Sequence, residues 1–173
     1  DYDFRVVDDP LELRDMIIEK HGLDGKARLV AGYCWEWETK RDPAAEADIV
    51  IGDFAMKWNL SSDRTFAISE GSIDQVGCIH TAQGLEFSYV GVIIGADLRY
   101  EQGRVITDFT KRARSDKSLH GLIGPARRKD PHALQEIDDI IRNTYRTLMT
   151  RGMRGCYVYC VDPNLAAYLR SRT

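Results

Sequence analysis

A chain of 173 residues, 43% hydrophobic and 29% charged, with a net charge of −3, has the makeup of a single globular domain large enough to bury its own core. No apolar run approaches the roughly 20 residues that a membrane-crossing helix needs, and no secretory signal segment is visible. The four cysteines, at 34, 78, 156 and 160, form no C-x-x-C pair, which argues against a zinc site and for free core thiols suited to a reducing cytoplasm.

The chain begins with a short strand at 4–7. Asp9 and Pro10 then cap and open a helix expected to end at Gly22. Residues 27–33 form a nearly continuous apolar run, the pattern of a strand buried on both faces in a parallel sheet. Trp35 and Trp37 follow, and then a charged stretch, 38–48, read as loop or short helix. Weaker strand signals occupy 49–51 and 54–58. A strand over 77–81 leads into a motif, and 89–95 is the clearest strand, β-branched residues between glycines. Residues 96–131 read as a long connection with one short helix. Pro131 opens a strong helix whose stripe is Leu134, Ile137, Ile140, Ile141, Tyr145 and Leu148, with Gly152 and Gly155 expected to terminate it. A buried strand over 156–161 and a helix over 165–170, capped by Asn164, complete the chain. Strands alternating with helices predict an α/β fold with a mostly parallel sheet.

Two segments carry chemistry. His80-Thr81-Ala82-Gln83-Gly84-Leu85-Glu86-Phe87 combines a glycine, which permits close backbone approach to a phosphate, with a carboxylate able to accept hydrogen bonds from ribose hydroxyls. Thr150-Arg151-Gly152 places an arginine at a helix end, where it can face an interface and meet charge developing on a γ-phosphate. The sequence has no G-x-x-x-x-G-K-[ST] phosphate loop.

In order and separation these segments resemble motifs V and VI of superfamily 1 helicases. The first matches His-x-x-(Lys/Gln)-Gly-x-Glu, with Gln83 in the variable position. The second departs in part: Arg146 stands where an aromatic is usual, with Tyr145 one earlier, and Gly152 replaces an alanine. Together with Arg28 to Trp37, Gly91 to Gly95 and Arg151 to Gly155, they resemble a bacterial family of predicted ATP/GTP-binding proteins related to the Schlafen helicase module. The resemblance runs from about residue 4 to 170 and is weakest over 38–75 and 101–130.

That resemblance implies a three-layer RecA-like fold of the P-loop NTPase type, with residues 1–173 forming the second such domain of a longer protein. The start at Asp1 fits a piece of a longer chain. ATP or GTP with Mg²⁺ would be held mainly by a preceding phosphate-loop domain. Arg151 would be the catalytic arginine. Gln83, Gly84, Glu86 and Thr150 would contact nucleotide, and His80 and Thr81 nucleic acid.

Two further expectations concern DNA or RNA. From 99 to 129 the chain carries nine Lys/Arg against three Asp/Glu, and Lys111, Arg112, Arg114, Lys117, Arg127, Arg128 and Lys129 could follow a phosphate backbone. Trp35, just past a strand, could stack on a base. The function expected is half of an ATP-dependent nucleic-acid translocase. The alternative is an NTP-driven switch that moves a protein partner without unwinding.

Overall fold

In the computed structural model, which describes residues 1–59 and 64–173, three helices begin on the dipeptide Asp-Pro. Asp9, Asp130 and Asp162 each turn a side-chain oxygen onto the N–H two residues ahead, and the proline that follows supplies a pre-set φ at a position with no N–H to satisfy. In chain order the elements are β1 (Asp3–Val7), α1 (Pro10–Asp24), β2 (Ala27–Ala31), α2 (Glu38–Arg41), β3 (Ile49–Ile51), β4 (Phe54–Asn59), β5 (Gln75–Gly77) and α3 (Ile79–Ala82). They continue with β6 (Phe87–Ile94), β7 (Leu98–Glu101), β8 (Arg104–Thr107), α4 (Ile123–Arg127), α5 (Pro131–Met149), β9 (Gly152–Cys160) and α6 (Pro163–Arg170).

Seven strands form one sheet in the order β1-β9-β6-β2-β5-β4-β3, parallel throughout except for β3 against β4. Residues alternating along the central strands feed two cores. Leu29, Ala31, Ile93 and Tyr157 meet Leu13 and Ile17 of α1 on one face. Val30, Val90, Val92, Ile94 and Val158 meet Ile137, Ile141 and Leu148 of α5 and Leu165 of α6 on the other. Helices on both faces of a mostly parallel sheet make a three-layer α/β domain of the RecA-like kind. All four cysteines are free. Burial pushes the Cys156 and Cys160 thiols up to about 12, so both stay protonated as core residues.

Several local expectations are corrected. The first helix runs through Gly22 to Asp24, because Gly25 is the residue that adopts the left-handed terminating conformation, φ 74°. Residues 79–82 are a helical turn, not strand: β5 ends at Gly77, and Cys78 O accepts from the N–H groups of Thr81 and Ala82. The buried Thr81 and Ala82 belong to that turn. Gly152 and Gly155 do not end α5, which stops at Met149; both lie in β9. Asp162, not Asn164, caps α6. The 96–131 connection contains the hairpin β7–β8, whose turn residues Gln102 and Gly103 both have positive φ, in addition to the short α4.

Candidate functional site

The two motif segments meet at the N-terminal edge of the sheet. β6 and β9 pair in parallel with Phe87 opposite Gly152, and the Phe87 N–H donates to Arg151 O over 2.9 Å. Glu86 and Arg151, 65 positions apart in the chain, therefore stand side by side as the residues that immediately precede the paired strands β6 and β9. The pairing then slips: Tyr89 sits opposite Gly155, so β9 spends three residues where β6 spends two. Glycine is required on both sides of this bulge. A Cβ on Gly152 would overlap the carbonyl of Gly155, and one on Gly155 would lie 2.6 Å from Asp3 O.

Glu86 is exposed at this edge; Gln83 and Gly84, in the crossover between α3 and β6, are exposed as well, and Gly84 turns the chain with φ +80°. The Arg151 guanidinium is half-buried and tethered through Nε to Thr147 O (3.2 Å). Its terminal nitrogens make no hydrogen bond or ion pair among the described residues. The Thr150 hydroxyl is bent back onto the carbonyls of Arg146 and Thr147, both at 3.0 Å, where it closes the end of α5.

The residues expected to touch nucleic acid do not share that edge, and they divide. His80 is exposed, beyond the C-terminal end of β5, with Nε2 3.5 Å from Ser118 Oγ. It lines a cleft of about 850 Å³ together with Tyr33, Trp37, Lys40, Arg114 and Lys117, among others. Arg114 is thus on the cleft, while Lys111 is exposed nearby in sequence but not on its lining.

Three expected contacts are engaged elsewhere. Arg112 is buried: its side chain is 2% exposed and bridges Asp97 (2.8 Å) and Asp116 (2.6 Å). Burial alone would lower its pKa, but Asp116 and Asp97 outweigh that and hold it above the ordinary value. A cation so enclosed is a structural strut and cannot reach a phosphate. Thr81 is buried and its hydroxyl donates to Asn59 O. Trp35 packs against the core and gives its carbonyl to Trp58 Nε1 (3.0 Å), and it is Trp37, two residues on, that lines the cleft.

Two residues that sequence reasoning passed over hold the cleft in shape. Asp48, buried, accepts from the N–H of Thr39, the hydroxyl of Thr39 and the N–H of Trp58 at 2.7–2.9 Å. Trp37 Nε1 donates in turn to Thr39 Oγ1, so the Trp37–Lys40 wall stands on that carboxylate. Glu36 accepts from the Arg114 N–H and from Ser115 Oγ (2.6 Å), fastening the opposite wall to the end of β2. Both are acidic residues in charged stretches, and nothing in their local sequence separates them from surface carboxylates.

Behind the cleft lies a buried polar knot. The Tyr145 hydroxyl donates to Asp97 and accepts from the Gly95 N–H (3.0 Å). Burial raises its pKa well above the ordinary value, and Cys34 and Asp97 add to the effect. Gly32 is a glycine because a Cβ there would overlap this hydroxyl.

The molecule is a three-layer α/β module with a mostly parallel sheet, and the two segments lie side by side where β6 and β9 begin. The chain belongs to the Schlafen group 3 DNA/RNA helicase domain family, whose model matches residues 1–162, and this relates it to helicase-like NTPases. An uncharacterized protein of Saccharomyces cerevisiae, YPL245W, is 30% identical over 169 residues. The match covers 95% of this chain but 36% of the yeast protein, so the chain spans little more than a third of that relative's length. No solved structure matches.

Proposed function

We propose that this domain is the second RecA-like half of a nucleic-acid-dependent NTPase, completing a nucleotide site whose phosphate loop lies in a preceding domain of the same protein. What supports the reading is one juxtaposition: the β6–β9 register sets Glu86 beside Arg151, with the exposed left-handed turn of Gly84 two residues before Glu86. An acceptor for ribose hydroxyls, a backbone free to approach phosphate and an arginine whose terminal nitrogens are free among the described residues suit a triphosphate presented by another domain. In this role ATP or GTP, bound with Mg²⁺, supplies the phosphoryl group. Arg151 neutralises charge growing on the γ-phosphate, Glu86 orients the sugar, and Gln83 and the Gly84 backbone close over the phosphates. Thr150 holds the helix end from which Arg151 projects.

The test uses the full-length protein. Arg151→Ala should lower hydrolysis by about 10³–10⁵ while nucleotide affinity stays within a few-fold, because the finger acts on transition-state charge. Arg151→Lys should fail as well, since lysine lacks the planar fork. Hydrolysis within a few-fold of the unaltered protein would assign Arg151 to the surface. The protein-partner switch uses the same residues and differs in one respect: its hydrolysis would not respond to DNA or RNA.

A further inference from the structure

Arg28, the second residue of β2, is 1% exposed, yet no carboxylate among the described residues pairs with it. Neutral acceptors hold its charge instead, which offsets the cost of burying it. Nε donates to Phe66 O (3.1 Å) and Ser72 Oγ (2.8 Å). One terminal nitrogen donates to Gly25 O (3.1 Å), Ala27 O (2.7 Å) and His21 Nδ1 (2.8 Å). Arginine only donates, so Nδ1 of His21 presents a lone pair and the ring is neutral, its proton on Nε2. These bonds converge behind Glu86 and Arg151. The buried Phe66 ring meets the Phe87 ring edge-on, centroids 6.1 Å apart, and Phe87 is the residue that follows Glu86 and donates to Arg151 O. Ser88, next in β6, is tied to the turn before β2: its N–H donates to Lys26 O and its hydroxyl to Asp24, both over 2.9 Å. The first two residues of β6 are thus clamped between the Arg28 acceptors and the 24–26 turn.

We propose that Arg28 is a positioning residue for this edge: by fixing Phe66 behind Phe87 it keeps Glu86 at the side of Arg151, and neutral His21 is the partner through which acid loosens its hold. The inference rests on the reading of Glu86 and Arg151 as nucleotide contacts and adds a regulation of that site. A proton on Nδ1 would set a donor and a second positive charge against the guanidinium. The groups that face His21 are Arg28 from β2, Asp24 and the Gly25 backbone at the end of α1, and Asp74 from the turn before β5. Burial, then the Arg28 charge, holds the His21 pKa below its ordinary value, although Asp24, Gly25 and Asp74 act the other way. A histidine depressed in the folded state stabilises in full above its unfolded pKa, about 6.5, and loses that contribution as pH falls through the folded value. The clamp is therefore tight at neutral pH and slack in acid.

The experiment is amide hydrogen exchange of the 173-residue chain, read by NMR at about pH 7.5 and about pH 5, with Ile93 of the same strand as the reference for Phe87 and Ser88. On acidification the protection factors of Phe87 and Ser88 should fall about tenfold more than that of Ile93, the worth of one hydrogen bond to a charged group. His21→Asn, whose Oδ1 can accept in place of Nδ1 and does not titrate, should abolish that difference and keep neutral-pH protection within about threefold. Arg28→Lys, which keeps the charge without the fork that spans Phe66 and His21, should lose Phe87 protection at both pH values. Arg151→Ala should leave the pattern unchanged, because Phe87 bonds to the backbone carbonyl there. In the full-length protein, hydrolysis by His21→Asn relative to the unaltered protein should rise about tenfold between the higher and the lower pH. The proposal is overturned if Phe87 and Ser88 lose no more protection in acid than Ile93, or if His21→Asn loses as much as the unaltered chain. It is also overturned if the hydrolysis ratio stays flat in a protein whose hydrolysis Arg151→Ala abolishes. Hydrolysis that survives Arg151→Ala is a failure of the nucleotide reading, and the exchange data then decide the Arg28 clamp alone.

Discussion

The two edges of the sheet are built by different means. At the N-terminal edge the geometry is carried by backbone: a strand register and a bulge between Gly152 and Gly155, with a left-handed glycine at 84 in the approach to β6. At the C-terminal edge it is carried by side chains joined across long stretches of chain, Glu36 to Arg114 and Ser115, Asp97 to Arg112, Asp48 to Thr39. A backbone-built site tolerates changes to its own side chains until one of its glycines is altered. A side-chain-built site is sensitive wherever a buried charge would lose its partner. The contrast can be broken by substitution at either edge.

The largest structural effects should come from the buried polar groups behind the cleft. Arg112→Ala leaves Asp97 and Asp116 without their cation and should destabilise the domain by about 3–5 kcal/mol in denaturant unfolding, because an unpaired buried charge is the costly state. Replacement by methionine together with Asp97→Asn and Asp116→Asn should recover part of the loss. If Arg112→Ala unfolds within about 1 kcal/mol of the unaltered chain, on the order of a surface change, the strut reading is wrong.

Next in size is Gly152→Ala, in which the new methyl meets the backbone carbonyl of Gly155 and neither can move without breaking the bulge. Overpacking of this kind costs about 1–3 kcal/mol. The thermal midpoint should fall, and Gly84→Ala, in open space but at φ +80°, should lower it less, by about 1 kcal/mol. A larger loss at Gly84 than at Gly152 would reverse the ranking of close approach over backbone conformation.

The smallest effect concerns pH. Burial tends to raise the pKa of Glu36, but the Ser115 hydroxyl and the N–H groups of Arg114 and Ser115 outweigh it and hold the carboxyl below its ordinary value. A carboxylate with a depressed folded-state pKa stabilises above its unfolded pKa, about 4.3, and loses that contribution as pH falls through the folded value. Glu36→Gln should therefore unfold more easily near neutrality, with the difference from the unaltered chain shrinking below about pH 4. A gap between the two proteins that stays constant from neutral to acid pH would show that the Glu36 charge is not what fastens the loop.

The same contrast explains what can be read from sequence. The helix at 131–149 announces itself through Asp130-Pro131 and an unbroken apolar stripe, and β6 through β-branched residues between glycines. The Gly84–Glu86 and Arg151–Gly155 segments stand out as motifs, but the role of Gly152 and Gly155 does not: they read as helix terminators, whereas in β9 they answer close approaches that include Asp3 and Tyr89, supplied by neighbouring strands. The cleft is not legible, since Glu36 and its partners are 78 and 79 residues apart. Position beyond β2 draws attention to the tryptophans, but both pack half-buried on the same core, and only the fold shows that Trp37, bonded to Thr39, is the one on the cleft lining. Arg112 reads as one more cation in a basic run, and only the fold supplies Asp97 to bury it. The β7–β8 hairpin escapes notice because its strands have four residues each and Gln102-Gly103 is a weaker turn signal than Asn-Gly.

The separation of the two edges is best tested in one crossed measurement on the full-length protein, recording phosphate release and single-strand binding for Arg151→Ala and for Arg114→Glu/Lys117→Glu. The first variant should lose hydrolysis and keep strand binding. The second should lose strand binding and keep basal hydrolysis measured without nucleic acid, while losing its stimulation by a strand. Loss of strand binding by Arg151→Ala, or full strand-stimulated hydrolysis by the charge-reversed protein, would contradict the proposed division of labour, in which Arg151 serves the nucleotide and the exposed cations of the basic stretch serve a strand.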